Sequence, residues 1–152
     1  MPLEWRDAMG IGHAVIDDDH RHLVEIINAF ESSPDLVHAE QAAKDLWLHA
    51  RNHFRREERL QKLSGYPLCT LHRIAHEELL EKLKNLIRTF FVERRNQDPV
   101  VVVAVMRDLI HDWFIDHVIE MDMKMKPFMP MLPKRVLESN LEEEEQADYS
   151  AA

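Results

Sequence analysis

The pattern that most constrains this chain is a set of ionisable residues placed where a helix would bury them. Leu46, Ala50, His53, Glu57 and Leu60 fall on one stripe of a helical segment spanning about 39–63. His53 and Glu57 are four apart, so they project from the same face, one turn above the other. His72 and His76 repeat that spacing on a segment from about 68 to 93, whose buried face carries Leu79, Leu83, Leu86 and Phe90. His20 shares a stripe with Leu23, Val24, Ile27 and Phe30, in a helix predicted to start near Asp17 to Asp19, where acids suit the dipole and can cap free N–H groups. His117 continues the inward face of Met106, Leu109, Ile110 and Trp113 on a segment from about 100 to 126. Asp122 is the awkward member. At about 100° per residue it lies about 500° beyond His117, or about 140° off its direction, so it must be reached from the helix flank.

Four long amphipathic helices joined by short turns predict an all-α chain, an antiparallel up-down four-helix bundle with an N-terminal arm and a short C-terminal extension. Ser32-Ser33-Pro34-Asp35, Gly65-Tyr66-Pro67 and Asn96-Gln97-Asp98-Pro99 mark the turns. Pro99 suits the first turn of the fourth helix. The run Val100–Val103 alone would suggest a strand, but the apolar spacing after it is helical. Residues 1–17 read as a non-helical arm, with Trp5 and Ile11 as anchors onto the core. Residues 1–126 form one helical domain, and 127–152 a Pro/Met-rich and acidic tail. Within that tail 134–146 could form a short helix, and Glu142 to Glu145 read as a solvated run.

Charge and cysteine content exclude several classes. The net charge of -9 disfavours nucleic acid and anionic membrane surfaces. No apolar stretch approaches the roughly 20 residues of a membrane span. The single cysteine, Cys69, excludes an internal disulfide framework. With no basic region and apolar run at its start, the chain reads as cytoplasmic.

A lone histidine on an apolar stripe is usually a hydrogen-bonded core residue. Here four helices each turn histidine inward and two add a carboxylate, and burying such groups unpartnered costs several kcal/mol each. Metal binding resolves the cost, because it takes neutral imidazoles and ionised carboxylates. Seven donors are too many for one zinc, which takes four. Two metals sharing the carboxylates account for the number. Imidazole and carboxylate without thiolate suits iron, manganese or zinc. Arg73 stands where a helical metalloprotease motif needs Glu, and the Glu-x-x-His pairs of ferritin-like sites are absent.

The residues that carry this pattern resemble the hemerythrin family, in its bacterial branch. Ile11-Gly12 to Ile16-Asp17-Asp18-Asp19-His20 is similar to its opening motif. His53-Phe54-Arg55-Arg56-Glu57-Glu58, Tyr66-Pro67, His72 and His76 resemble its central motif. Trp113-Phe114-Ile115-Asp116-His117 with Asp122 resembles its closing motif. The resemblance covers roughly residues 5–126. It implies two iron ions with an oxo or hydroxo bridge: one held by His72, His76 and His117, the other by His20 and His53 with one position open, and both bridged by Glu57 and Asp122. It also implies a dioxygen pocket lined by Leu23, Phe54, Trp113, Phe114 and Val118. Two positions depart from the family's habit: Phe114 stands where Leu is frequent, and Gln61 where Met is frequent. Of the other histidines, His22 and His111 read as exposed, and His49 as a core residue or a support to the site.

The expected function is reversible dioxygen binding for storage, delivery or sensing, without catalysis, by a monomer or weak oligomer that also meets an unidentified protein partner. The alternatives are a di-iron enzyme acting on peroxide or nitric oxide, and an iron-handling or regulatory module that docks through its acidic tail and Met-rich segment.

Overall fold

The structure, a computed structural model, describes residues 2–132. Four helices account for most of it: α1 (Ala14–Glu31), α2 (Leu36–Ser64), α3 (Cys69–Ile87) and α4 (Pro99–Trp113). No strand occurs among the described residues. The connections 32–35, 65–68 and 93–98 are too short to let a following helix run parallel, so neighbours run antiparallel. α2 packs against both α1 and α3 and also reaches α4, and α1 packs against α4. Expectations for residues 134–146, including the acidic run, fall outside the described residues.

The helix ends follow local chemistry. The Asp35 side chain caps α2 by accepting from the His38 N–H. Gly65 takes a left-handed conformation (φ 69°) past the end of α2, and the Tyr66 and Gly65 N–H groups return to the carbonyls of Gln61 and Lys62. Asp98 caps α4 ahead of Pro99. The valine run is helical, as the apolar spacing requires. α1 starts at Ala14, earlier than the acids at 17–19 suggest. Asp17 instead uses its carboxylate to accept the Ile11 N–H, tying the arm to the helix. The arm is further held by paired bonds between the Leu3 backbone and the Asn28 amide.

Two helices do not stay regular. α3 passes into a π turn over Arg88–Val92 and ends at Arg94 in a left-handed conformation. α4 continues into a π segment, Phe114–Met121, and then a 3-10 segment, Asp122–Met131.

The core has two parts. The larger, including Leu23, Ile27, Phe30, Leu46, Phe54, Met106, Ile110 and Phe114, runs along the bundle axis. The smaller closes one end with Ile11, Ile16, Leu60, Tyr66, Met125, Met129 and Leu132. This corrects one sequence expectation. Met125 and Met129 are buried, so this part of the Met-rich segment is a packed cap and not a docking surface. Its prolines, Pro127 and Pro130, are accommodated in 3-10 turns rather than breaking the chain away from the bundle.

Candidate metal centre

All seven ionisable residues singled out in the sequence meet inside the bundle, and each is at most 2% exposed. α1 supplies His20, α2 supplies His53 and Glu57, and α3 supplies His72 and His76. His117 comes from the π segment, and Asp122 opens the 3-10 segment that follows it. The residues form two overlapping groups. One contains His72, His76 and His117, the other His20 and His53, and Glu57 and Asp122 belong to both.

The π segment removes the angular difficulty of Asp122. Its backbone N–H donates to the carbonyl of His117, five residues back. A π turn holds about 4.4 residues, so five residues sweep about 410° and return to within about 50° of the start. The regular-helix geometry assumed from sequence put Asp122 on the flank, whereas the wider turn brings it to the same face as His117.

Each carboxylate divides its oxygens between the two groups. Glu57 Oε1 lies 3.0 Å from His53 Nε2 and 3.3 Å from His20 Nε2, while its Oε2 lies 3.2 Å from His76 Nε2. Asp122 Oδ2 lies 3.0 Å from His20 Nε2, while its Oδ1 lies 2.7 Å from His72 Nε2 and 3.2 Å from His117 Nε2.

The imidazole nitrogens also crowd one another. His117 Nε2 is 3.0 Å from His72 Nε2 and 2.8 Å from His76 Nε2, and His20 and His53 Nε2 are 3.2 Å apart. Two donor atoms at right angles about a metal, each at about 2.1 Å, would sit about 3.0 Å apart. The donor set therefore fits a pair of cations.

Electrostatics concentrates the demand. Burial by itself would lower the His20 pKa, but the Asp122 and Glu57 carboxylates outweigh it and push it up to about 10. The same contest raises His53, through Glu57 and Asp19, and His76, through Glu57 and Glu58. Burial would raise the two carboxylates. The surrounding histidines override it and hold both below the ordinary carboxylate range. Burial and the charges of Asp122 and Glu57 together raise Tyr66.

Behind the cluster lies support that sequence reasoning missed. Asp19, read from sequence as an acid near a helix start and as part of the opening motif but given no role at the site, accepts from His53 Nδ1 at 3.0 Å. Arg56 grips the same carboxylate through two bonds of 2.7 and 2.8 Å. Burial would raise Asp19, but His53 and Arg56 hold it below its usual value. The available signal was the pairing of Asp19, adjacent to His20, with Arg56, adjacent to Glu57. His49 Nε2 contacts the Asp19 backbone carbonyl at 3.1 Å, which makes it a support to the site. His22 is exposed, as expected. His111 is not: it is partly buried and pairs with Glu31 of α1.

Leu23, Phe54, Trp113, Phe114 and Val118 are all buried in the main core. Phe54 stacks on His76 with ring centroids 3.8 Å apart and meets Trp113 edge-on at 6.0 Å. Phe54 and Trp113 also line a small apolar cavity that extends between α2, α3 and α4.

The model of the hemerythrin HHE cation binding domain matches residues 12–129. The chain belongs to the hemerythrin family. A bacteriohemerythrin of Stenotrophomonas maltophilia is 25% identical over 119 residues, covering 76% of this chain and 74% of the relative. A myohemerythrin of Sipunculus nudus is 28% identical over 125 residues, covering 82% and 92%. The crystal structure of a wild-type hemerythrin superposes with a TM-score of 0.71 at 19% identity, covering 85% of this chain and 98% of that one, which establishes the hemerythrin fold. Hemerythrins are a di-iron, dioxygen-binding family, and the cluster is suited to binding metal. Among the described residues, no helix of this family member is long and apolar enough to cross a membrane.

Proposed function

We propose that this chain binds dioxygen reversibly at two irons held between its four helices. His72, His76 and His117 would hold one iron, His20 and His53 the other, with Glu57 and Asp122 shared. The observation that carries this reading is the division of each carboxylate, one oxygen toward each histidine group. Two histidines against three leave the His20–His53 side with fewer protein donors, which is where an external ligand would enter.

When bound, the irons supply the two electrons that dioxygen takes up and returns. The protein does the rest. Each Nε2 that faces the cluster must be unprotonated, which places the imidazole proton on Nδ1. Asp19, itself clamped by Arg56, takes the proton-bearing Nδ1 of His53 and fixes that ring. Leu23, Phe54, Trp113, Phe114 and Val118 surround the site with apolar surface and exclude the water that would promote irreversible oxidation. The apolar cavity beside Phe54 and Trp113 suits a small uncharged ligand.

Metal analysis and stopped-flow spectroscopy test the reading together. Two irons per chain are expected, with an optical change on oxygenation that reverses on deoxygenation. One zinc per chain, or prompt irreversible oxidation, would overturn it.

A further inference from the structure

Gln61 is fully buried on α2, one turn beyond Glu57. A buried amide needs partners for both of its ends. Its Nε2 lies 2.8 Å from His72 Nδ1 and 3.3 Å from Met125 Sδ, while its Oε1 has no hydrogen-bond partner among the described residues. The other edge of the same imidazole faces the cluster, with His72 Nε2 2.7 Å from Asp122 Oδ1 and 3.0 Å from His117 Nε2.

We propose that Gln61 is a positioning residue for the metal centre, holding His72 with Nε2 toward the metal by accepting a hydrogen bond from its Nδ1–H. The inference rests on His72 being a ligand, as argued above. A ligating Nε2 leaves the proton on Nδ1, which then requires an acceptor. The two ends of an amide are nearly equal in size, so turning the Gln61 amide over sets Oε1 against Nδ1–H with no other atom displaced. The turn gives the oxygen the His72 donor and leaves Nε2 in the position where Oε1 has no partner, so the bond to the ligating ring is what selects this orientation. Met125, itself fully buried, packs against the amide, and the pair lies out of reach of bulk solvent. Methionine at position 61 would fill the space but accept only weakly. Glutamate would accept more strongly and pass more electron density to the ring. Gln61 thereby tunes the three-histidine metal, on the side of the cluster away from the His20–His53 pair.

The test compares wild type, Q61M and Q61E loaded with iron(II) under anaerobic conditions. Loss of iron to a bipyridyl chelator is the first readout. The exchangeable imidazole N–H resonances of the loaded protein are the second, and melting of the metal-free chains is the control. Q61M is expected to lose iron about 10-fold faster or more, in line with the effect of removing a partner of a ligating histidine, and to lose protection of the His72 N–H. Q61E should restore retention and shift that resonance. Metal-free Q61M should melt no lower than Q61E. Unchanged iron loss and N–H protection in Q61M would overturn the inference while leaving the two-iron reading intact. Failure of wild type to take up two irons, or full iron retention by H72A, would overturn both.

Discussion

The Asp122 N–H donates to the carbonyl of His117, and this one i→i+5 bond decides whether the second carboxylate reaches the site. A regular helix would point Asp122 away from the imidazoles it faces. Inserting one alanine after Glu120 should swing Asp122 by about 80–100°. Iron content is then expected to fall below two per chain, with helix content by circular dichroism retained. Two tightly held irons in the insertion variant would show that the π turn is incidental.

Asp19 stands between a candidate ligand and a buried cation. Asp19→Asn removes the charge that Arg56 pairs with while keeping an accepting oxygen, at a cost of about 1–3 kcal/mol, and should weaken metal binding by about 10–100-fold through His53. The double change Asp19→Leu with Arg56→Met replaces the ion pair with apolar volume. It should recover much of the stability and none of the metal affinity. Chemical denaturation and iron titration separate the two effects, and equal recovery of both would refute the orienting role.

His49 makes stability pH-dependent in a defined direction. Burial chiefly, aided by the charges of His53 and His22 and opposed by Asp19, lowers its pKa from 6.5 to about 4. Above pH 6.5 both folded and unfolded chains hold it neutral, so it contributes no pH dependence. Between 6.5 and about 4 the unfolded chain binds a proton that the folded chain refuses, so stability falls as pH falls. Discounted for partial exposure, the loss is about 1–2 kcal/mol. Between pH 7 and pH 4.5 the unfolding free energy of the metal-free wild type, measured by urea titration, should fall by about 1–2 kcal/mol more than that of H49Q. Identical pH dependence in both would contradict the assignment.

Phe114 is 1% exposed in the main core, and the proposed reading makes it a wall of the dioxygen pocket. Phe114→Ala should cost about 3–5 kcal/mol in stability and admit water to the site. Phe114→Leu retains most of the packing and provides a folded comparison. Autoxidation followed by stopped-flow spectroscopy is expected to accelerate in the order wild type, F114L, F114A. A rate that ignores both substitutions would remove Phe114 from the barrier.

What the sequence by itself determined is what local spacing can encode. The stripes of α1, α2 and α4, the turns that contain Asp35 and Asp98, the stop at Gly65 and the inward placement of the histidines follow from helical periodicity and backbone chemistry. Seven residues of the candidate centre were named on that basis together with the family resemblance, and the fold brings them together. What only the tertiary structure decided depends on where helices depart from regularity and on which residues meet across them. The π segment that recovers Asp122 is invisible to a period that assumes about 100° per residue. The Asp19–Arg56–His53 and Gln61–His72 contacts join residues distant in the chain, so no local pattern announces them. The burial of Met125 and Met129 was likewise hidden, because prolines that end an α-helix also permit the 3-10 turns that fold the segment back over the bundle.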